Sequence, residues 1–288
     1  MLTPFKERGD VDFDAHLFNL NKWNDFSLKG YLVLGSNSET VYLSENEKLE
    51  LIKKTVEGKS KDKILLAGTG MESTLETIQL TNKAAALGVN AALILTPFYY
   101  KASMTTDALI QHFETIANHA DIPILIYNVP KFTNINVSQE IIARLCQHPN
   151  IIGMKDSLGD NSQLEQFLKV VPEKFTVMSG TASSWYPGLK IGIKGAIMAL
   201  ANIAPADCIQ IEEMVDSGNI NEASRLHEKI LPVNTAITAT YGIAGLKYAA
   251  QIMGWKGGFV RKPLLELTYN QKIEIDQIIT NYLKPTGT

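Results

Sequence analysis

Ile151-Ile152-Gly153-Met154-Lys155-Asp156-Ser157 begins with an apolar run of strand length, which ends directly in a lysine. Runs of this kind recur along the 288 residues, at Tyr31–Leu34, Ile64–Ala67, Ala91–Leu95, Ile122–Ile126, Ile151–Met154, Phe175–Met178 and Ala196–Leu200. They are too short for helices and do not alternate cleanly between apolar and polar residues. This pattern is typical of strands that are buried on both faces of a parallel sheet.

Amphipathic stretches of helical length separate these runs. The S-x-x-E spacing of Ser44–Glu47 and of Ser73–Glu76 is that of a capping box, which opens a helix. Leu109, Phe113 and Ile116 recur at helical spacing and are expected to face a core. Because strands and helices alternate so regularly, the sequence predicts an α/β fold, a (β/α)8 TIM barrel.

The two ends of the chain depart from this alternation. An eighth strand would have to come from Met1-Leu2, so the first strand of the barrel is expected to be truncated. From Pro205 to Leu283 the pattern is wholly helical. We therefore expect a barrel over residues 1–204, and C-terminal helices over residues 205–288 that complete it and form an appendage.

Small, polar or hydroxyl-bearing residues follow the C-terminal end of each apolar run. These segments are Gly35–Glu39, Gly68–Gly70, Thr96–Tyr100, Tyr127–Pro130, Lys155–Ser157, Ser179–Thr181 and Ala201–Asn202. In a (β/α)8 barrel the strand C-termini converge on one face, which carries the chemistry. A doubly wound sheet would gather them only at a switch point, so the barrel is favoured.

Lys155 is the main candidate for chemistry. Burial beside an apolar strand favours the neutral amine, which is the form that attacks a carbonyl carbon to make a Schiff base. The alternative is a structural ion pair with Asp156, and position alone does not separate the two. Tyr127 ends the preceding strand, where its phenol could transfer protons; a packed tyrosine with a bonded hydroxyl is the more common case.

Two further segments each have a functional and a structural interpretation. Gly35-Ser36-Asn37-Ser38 is either a simple turn or a set of donors suited to a carboxylate. Gly68-Thr69-Gly70 is too short for a phosphate loop, and we interpret it as close packing.

The composition excludes several classes of function. The 27 basic and 30 acidic side chains nearly cancel and form no long block, so neither nucleic acid nor a membrane surface is an expected partner. No apolar run approaches the ~20 residues that span a bilayer, and Met1–Asp10 does not resemble a secretory signal.

Cys146 and Cys208 are far apart, which favours a reducing cytoplasm. No metal site is expected, because the histidines fall in predicted helices or loops: His16, His112, His119, His148 and His227.

Three motifs together resemble the dihydrodipicolinate synthase / N-acetylneuraminate lyase family. Gly35–Glu39 resembles its G-[ST]-x-G-E carboxylate loop, and Tyr127–Pro130 matches its Y-N-[VI]-P segment. Gly153–Ser157 matches its G-x-K-[DE]-[SA] Schiff-base segment. The motifs occur in the family's order and spacing, and the similarity extends over nearly the whole chain.

The resemblance implies a class I aldolase that works on pyruvate-derived keto acids without a cofactor. It also implies a role for each matching residue. Lys155 forms the imine, Tyr127 transfers protons and Ser36 is the relay hydroxyl. Asn37 binds a carboxylate, and Tyr99 reaches into a neighbouring subunit's site to complete the relay. Gly180 and Ile197 correspond to backbone positions that line the pyruvate pocket. A short second substrate would be held by Ser157 and Asn37. The expected assembly is a homotetramer, a dimer of dimers.

Departures from the family pattern narrow the choice of substrate. Dihydrodipicolinate synthases carry an arginine two residues after the Y-N-V-P proline, where this chain has Phe132. Phe98 precedes Tyr99 and no histidine follows the carboxylate loop, so feedback by lysine is not expected. Ser38 stands where the loop usually has a glycine. Several stretches, His148–Ser157 among them, instead resemble 4-hydroxy-2-oxoglutarate aldolase, which yields pyruvate and glyoxylate.

Three alternatives remain open from the sequence. Within enzymes they are dihydrodipicolinate synthase and an aldolase for 2-keto-3-deoxy sugar acids. The third is a catalytically silent barrel that binds an oxoacid, against which the presence of Lys155, Tyr127 and Ser36 argues.

Overall fold

The computed structural model describes residues 1–284 and contains a parallel sheet of six strands in chain order. The strands are β1 (Gly30–Val33), β2 (Ile64–Gly68), β3 (Ala91–Leu95), β4 (Ile124–Asn128), β5 (Ile151–Asp156) and β6 (Thr176–Ser179). Each of the first six predicted runs therefore forms a strand, and sequential parallel pairing confirms the α/β prediction.

The helices begin and end as follows: α1 (Phe13–Asn24), α2 (Glu45–Gly58), α3 (Thr74–Ala86), α4 (Thr106–His119), α5 (Pro130–Thr133), α6 (Gln139–Leu145), α7 (Asn161–Leu168), α8 (Ala182–Ile191), α9 (Pro205–Asp216), α10 (Ile220–Thr235), α11 (Gly242–Ile252) and α12 (Tyr269–Leu283). Ser44 and Glu47 form the predicted capping box at the start of α2. Ser73 caps α3 by accepting the N–H of Glu76. No helix of residues 1–284 has the length and apolar character that crossing a membrane requires.

The chain forms two compact units. The sheet unit contains Gly30–Val33 and Ile64–Ile197, with all six strands and α3 to α8. The second unit contains Met1–Lys29, Leu34–Lys63 and residues from Met198 onward. In the sheet unit, Leu109, Phe113 and Ile116 are buried on α4, as their spacing predicts.

The predicted seventh strand is reduced to one parallel bridge, between Ala196 and Ser179. Gly195 has a φ of 140°, which is not a strand conformation, and residues Leu200–Asn202 already form a 3-10 turn. The prediction of a full strand at Ala196–Leu200 is therefore wrong: within this run only Ala196 forms a bridge to β6.

The N-terminus forms no strand before Phe5. Leu2 is buried and donates its N–H to the side-chain oxygen of Asn202, at 2.8 Å. Phe5 makes isolated antiparallel bridges with Val11 and Phe259. Side-chain and bridge contacts therefore replace the ladder that a truncated first strand would have made.

The C-terminal region is helical, although not continuously. Between α11 and α12 the chain is irregular, because Gly254 and Gly258 have φ values of 81° and 68° and Pro263 cannot continue a helix. The prediction of an unbroken helical pattern to Leu283 was wrong here. Residues 285–288 of the predicted helical region lie outside the described residues.

Candidate active site

Lys155 and Tyr127 lie side by side on adjacent strands. They are paired in the β4–β5 register, and the Lys155 Nζ atom is 4.3 Å from the centroid of the Tyr127 ring. Only 7% of the Lys155 surface is exposed. The sequence placed these residues at the ends of neighbouring strands, and the fold brings them together.

Asp156 lies on the opposite face of β5, because successive strand residues point to opposite sides. Its Oδ1 atom accepts hydrogen bonds from Asn128 Nδ2 at 2.6 Å and Gln163 Nε2 at 3.0 Å. Its Oδ2 atom accepts the Leu158 N–H at 3.2 Å. Burial raises the pKa of Asp156, and these hydrogen bonds oppose the rise in part. The carboxylate is thus engaged by amides, which removes support for the alternative of a structural Lys155–Asp156 pair.

Ser157 and Gly180 lie against Lys155. The Ser157 N–H donates to the Asn128 carbonyl at 2.9 Å, and the Gly180 N–H donates to the Asp156 carbonyl at 2.6 Å. A Cβ atom at Gly180 would lie 1.8 Å from Ser157 Oγ and 2.8 Å from Lys155 Cε. The Ser157 hydroxyl is buried and has no hydrogen-bond partner within residues 1–284.

Ile197 contributes to an apolar wall. Its N–H donates to the Ser179 carbonyl at 2.9 Å. Its side chain, with Leu95 and Met178, packs against a buried cluster that includes Tyr127 and Leu125. The wall lies on the Tyr127 side of the sheet.

Tyr99 is 75% exposed, in contrast to Lys155. Its N–H donates to the Glu72 carboxylate at 2.9 Å, and the Phe98 N–H donates to the same carboxylate at 3.0 Å. The ring meets that of Tyr100 edge-on, with the centroids 5.1 Å apart. The backbone of this segment is therefore anchored, while the phenol of Tyr99 extends into solvent.

Phe132 lies on α5, the four-residue helix that follows β4, and is 52% exposed. The helix ends at Thr133 and is followed by Asn134, which has a φ of 53°. Thr133 is buried and donates its hydroxyl to the carbonyl oxygens of Val129 and Ile135. The helix is thus fixed at its C-terminal end, and the ring of Phe132 presents only carbon and hydrogen to a ligand.

Ser36 and Asn37 belong to the second unit, in a 3-10 turn that ends at Ser38. The Ser38 hydroxyl is buried and donates to the Met1 carbonyl at 2.7 Å. This hydrogen bond gives a structural reason for serine at the position where the family loop usually has glycine.

Glu39 follows this turn with a φ of 54° and is fully buried. Its carboxylate pairs with Lys247 Nζ at 2.5 Å and accepts the Arg261 N–H at 2.8 Å. Burial lowers the pKa of Lys247 to about 8, against the opposing effect of Glu39. The loop that carries Ser36 and Asn37 is thereby tied to α11 and to the segment before α12.

The chain matches the model of the dihydrodipicolinate synthetase family over residues 1–282. It belongs to this family. The 4-hydroxy-tetrahydrodipicolinate synthase of Thermodesulfovibrio yellowstonii is 34% identical over 280 residues, which are 97% of this chain and 95% of that protein.

Solved structures of the dihydrodipicolinate synthetase family have the same fold. The chloride-inhibited Acinetobacter baumannii dihydrodipicolinate synthase in complex with pyruvate has a TM-score of 0.92 and 29% identity, covering 98% of this chain and 96% of that one. A monomeric dihydrodipicolinate synthase variant has a TM-score of 0.92 and 27% identity, covering 98% and 94%. As a member of the family, the chain is a pyruvate-dependent lyase of the class I aldolase type. These relatives carry the synthase name, and the closer resemblance to 4-hydroxy-2-oxoglutarate aldolase stays a prediction.

The sequence did not reveal two groups that support the family's motifs. One is the set of amides around Asp156, of which Gln163 comes from α7. The other is the pair of Glu39 and Lys247, which are 208 positions apart in the chain. Lys247 lies outside the three family motifs, and the burial of a charged residue is not visible in sequence.

Replacing Gly180 by alanine is expected to slow imine formation by ~10²-fold, the cost typical of a displaced reacting group. The new methyl group overlaps Ser157 Oγ and Lys155 Cε. Both are side-chain atoms that can move aside, but this movement displaces the Lys155 amine from its present position. Timed borohydride trapping of the enzyme with pyruvate measures the effect.

A Gly180→Ala/Ser157→Ala double variant is the control, because it removes the closest overlap. It should form the imine faster than the Gly180→Ala variant does. Equal rates for Gly180→Ala and the unmodified enzyme would show that the space at Gly180 does not matter.

Proposed function

We propose that Lys155 forms a Schiff base with the C2 carbonyl of a pyruvate-derived keto acid. The observation that carries the proposal is the position of its amine, buried 4.3 Å from the Tyr127 ring centroid while the Asp156 carboxylate is occupied on the opposite face. The amine of a lysine is a nucleophile that adds to a carbonyl carbon.

The chemistry in the cleavage direction follows from the imine. The amine adds to C2 and water leaves, which gives a protonated imine. Tyr127 accepts the proton of the C4 hydroxyl as the C3–C4 bond breaks, and the electron pair of that bond moves into the imine. The resulting enamine takes a proton at C3, and water releases pyruvate and regenerates the amine.

The other predicted residues have supporting roles in this proposal. Ser36 and Tyr99 pass the proton to and from Tyr127, and Asn37 binds the keto-acid carboxylate. The apolar side of Ile197 and the tight contact at Gly180 shape the pyruvate pocket. The unpartnered hydroxyl of Ser157 supports its assignment to the second substrate.

For that second substrate we propose glyoxylate, so that the reaction is cleavage of 4-hydroxy-2-oxoglutarate. Phe132 supports this choice, since it cannot donate the paired hydrogen bonds by which an arginine holds a distal carboxylate. Glyoxylate is short enough for its carboxylate to bind near Lys155.

The second candidate is 4-hydroxy-tetrahydrodipicolinate synthase, which condenses pyruvate with aspartate semialdehyde. The names of the relatives at 30–34% identity favour it more directly than they favour aldol cleavage. Under this candidate, a group other than residue 132 has to bind the semialdehyde carboxylate.

A substrate panel separates these candidates. Purified protein is assayed with pyruvate plus glyoxylate, aspartate semialdehyde or sugar aldehydes, and with 4-hydroxy-2-oxoglutarate in the cleavage direction. An unpaired carboxylate in a dry site costs roughly 1–3 kcal/mol or more, so we expect kcat/KM to be highest for 4-hydroxy-2-oxoglutarate. Phe132→Arg should raise semialdehyde use more than glyoxylate use.

Three results of the panel would change the proposal. Efficient condensation with semialdehyde by the unmodified protein would replace our choice with the synthase. A preference for sugar aldehydes would indicate a 2-keto-3-deoxy sugar acid aldolase. Pyruvate binding without turnover on any partner would indicate a silent oxoacid-binding protein.

We also propose a homotetramer built from two dimers, in which Tyr99 completes a neighbour's site. The exposure of its phenol in the single chain supports this assembly. The (β/α)8 closure and the division into residues 1–204 and 205–288 remain part of the same proposal, supported by the similarity to the solved family structures.

Tyr99→Phe is expected to lower turnover by ~10²–10⁴-fold, the range for a lost proton-transfer group. The fold of the single chain should not change, because Tyr99 is largely exposed within it. Tyr100→Phe, on the adjacent exposed tyrosine, is the matched control and should retain activity. An active monomer in light scattering would remove Tyr99 from the mechanism.

A further inference from the structure

The residues that follow Tyr127 and Lys155 form a second pair on the opposite face of the sheet. Asn128 and Asp156 are partners in the β4–β5 register, one step after Tyr127 and Lys155. Alternation along a strand sends the first pair to one face and the second to the other. We call Asn128 and Asp156 the outer pair.

The outer pair is buried and joined by side-chain hydrogen bonds. Both residues are fully buried, and Asn128 Nδ2 donates to Asp156 Oδ1 at 2.6 Å. Gln163 of α7 and Asn136 extend the network: Asn128 also donates to Asn136 Oδ1 at 2.8 Å, and Gln163 donates to Asp156 Oδ1 at 3.0 Å. Every contact uses a planar amide or a carboxylate, so small rotations would break it.

The same two side chains also anchor the backbone that leaves each strand. The Val137 N–H donates to Asn128 Oδ1 at 3.0 Å, and the Leu158 N–H donates to Asp156 Oδ2 at 3.2 Å. The Ser157 N–H donates to the carbonyl of Asn128 at 2.9 Å. The outer pair therefore holds the ends of β4 and β5 to one another and to the segments that follow them.

Stability alone does not account for this arrangement. Burying a carboxylate that is bound by amides costs desolvation, which an apolar pair at 128 and 156 would avoid. A satisfied polar network in a buried site instead fixes one geometry. The geometry fixed here is the relative position of Lys155 and Tyr127.

We propose that Asn128 and Asp156 are positioning residues, which act through the strand ends to hold the Lys155 amine and the Tyr127 phenol in reacting register. The inference rests on the proposed role of Lys155 and does not depend on the second substrate. Neither residue contacts the substrate.

The test exchanges the members of the outer pair. Asn128→Asp leaves two carboxylates facing each other, and Asp156→Asn leaves two amides. The double exchange Asn128→Asp/Asp156→Asn restores one amide–carboxylate contact with donor and acceptor reversed, and Asp at 128 still accepts the Val137 N–H. Exchange of the pyruvate methyl protons in deuterated buffer, followed by NMR, reports imine and enamine formation with pyruvate alone.

Each single variant should slow proton exchange per folded molecule by ~10²-fold, as expected for a small displacement of reacting groups. The pyruvate concentration at half-maximal rate should change little. The double exchange should recover at least about tenfold of the lost rate, because coupled residues are not additive. A structural role would instead change the folded fraction, measured by thermal unfolding, and leave the rate per folded molecule unchanged.

Asn90→Ala is the matched control, since Asn90 Oδ1 also accepts a buried-strand N–H, that of Leu65, at 2.8 Å at the opposite end of the sheet. It should destabilise the protein without slowing exchange. If a single variant fails to fold, the rate of proton exchange per folded molecule is compared between the unmodified enzyme, the double exchange and Gln163→Leu instead.

Besides an unchanged rate per folded molecule, two further results would overturn the inference. In the first, borohydride traps pyruvate on Lys155 of the unmodified enzyme, but proton exchange in the double exchange variant is no faster than in the slower single variant. The positioning role of the outer pair is then wrong, and the proposed function of Lys155 stands. In the second, borohydride traps no pyruvate adduct on the unmodified enzyme, and both the positioning role and the proposed function are then wrong.

Discussion

Replacing Lys155 by methionine is expected to abolish the pyruvate adduct trapped by borohydride and to lower aldol turnover to the uncatalysed rate. Methionine keeps the length and apolar stem of the side chain but has no amine, so neither the imine nor the electron sink can form. Mass spectrometry of the reduced protein locates the adduct, and a cleavage assay measures turnover.

Lys63→Met is the control for this experiment. Lys63 is buried to nearly the same extent as Lys155, and its Nζ atom pairs with Asp62 at 2.9 Å. This variant should keep both the adduct and the turnover. An adduct spread over several lysines of the unmodified protein would contradict the assignment of Lys155.

The second large effect concerns the buried ion pair of Glu39 and Lys247. Glu39→Gln or Lys247→Met leaves one buried charge without its partner, which costs about 3–5 kcal/mol in the free energy of unfolding. Removing both charges should cost less than the sum of the single variants. Urea unfolding of the two single variants and the double variant measures the difference.

Lys54→Met provides the comparison at a surface pair. Lys54 Nζ is 3.6 Å from Glu50 on α2, and both side chains are partly exposed. The expected change there is below about 1 kcal/mol. If Glu39→Gln costs no more than Lys54→Met, the buried pair does not anchor the loop.

The strands and the central pair of the site could be predicted because they depend on local pattern. A buried parallel strand is an apolar run, and the residue that ends it lies at the edge of the sheet, as Lys155 and Tyr127 do. The prediction of a seventh strand failed because the apolar run at Ala196–Leu200 forms a single bridge, at Ala196, and its last residue already belongs to a 3-10 turn.

The support around the site could not be predicted because it depends on contacts that are distant in sequence. Gln163 reaches Asp156 from a helix, and Lys247 reaches Glu39 from the far end of the chain. Sequence shows that these residues are polar but not that they are buried, and burial is what gives them their importance. Ser38 is similar, since its bond to the Met1 carbonyl has no sequence signal.

The short helix α5 has a practical consequence for engineering new specificities. Its fixed points are Pro130 at the start, buried Thr133 and the left-handed Asn134, while Phe132 between them is exposed. Neither Lys131 nor Phe132 lies on a strand, so randomising these two codons should leave the register of β4 and β5 unchanged. Under the proposed function, a compact library at these positions should therefore yield enzymes that accept new aldehydes and keep the proposed imine chemistry at Lys155.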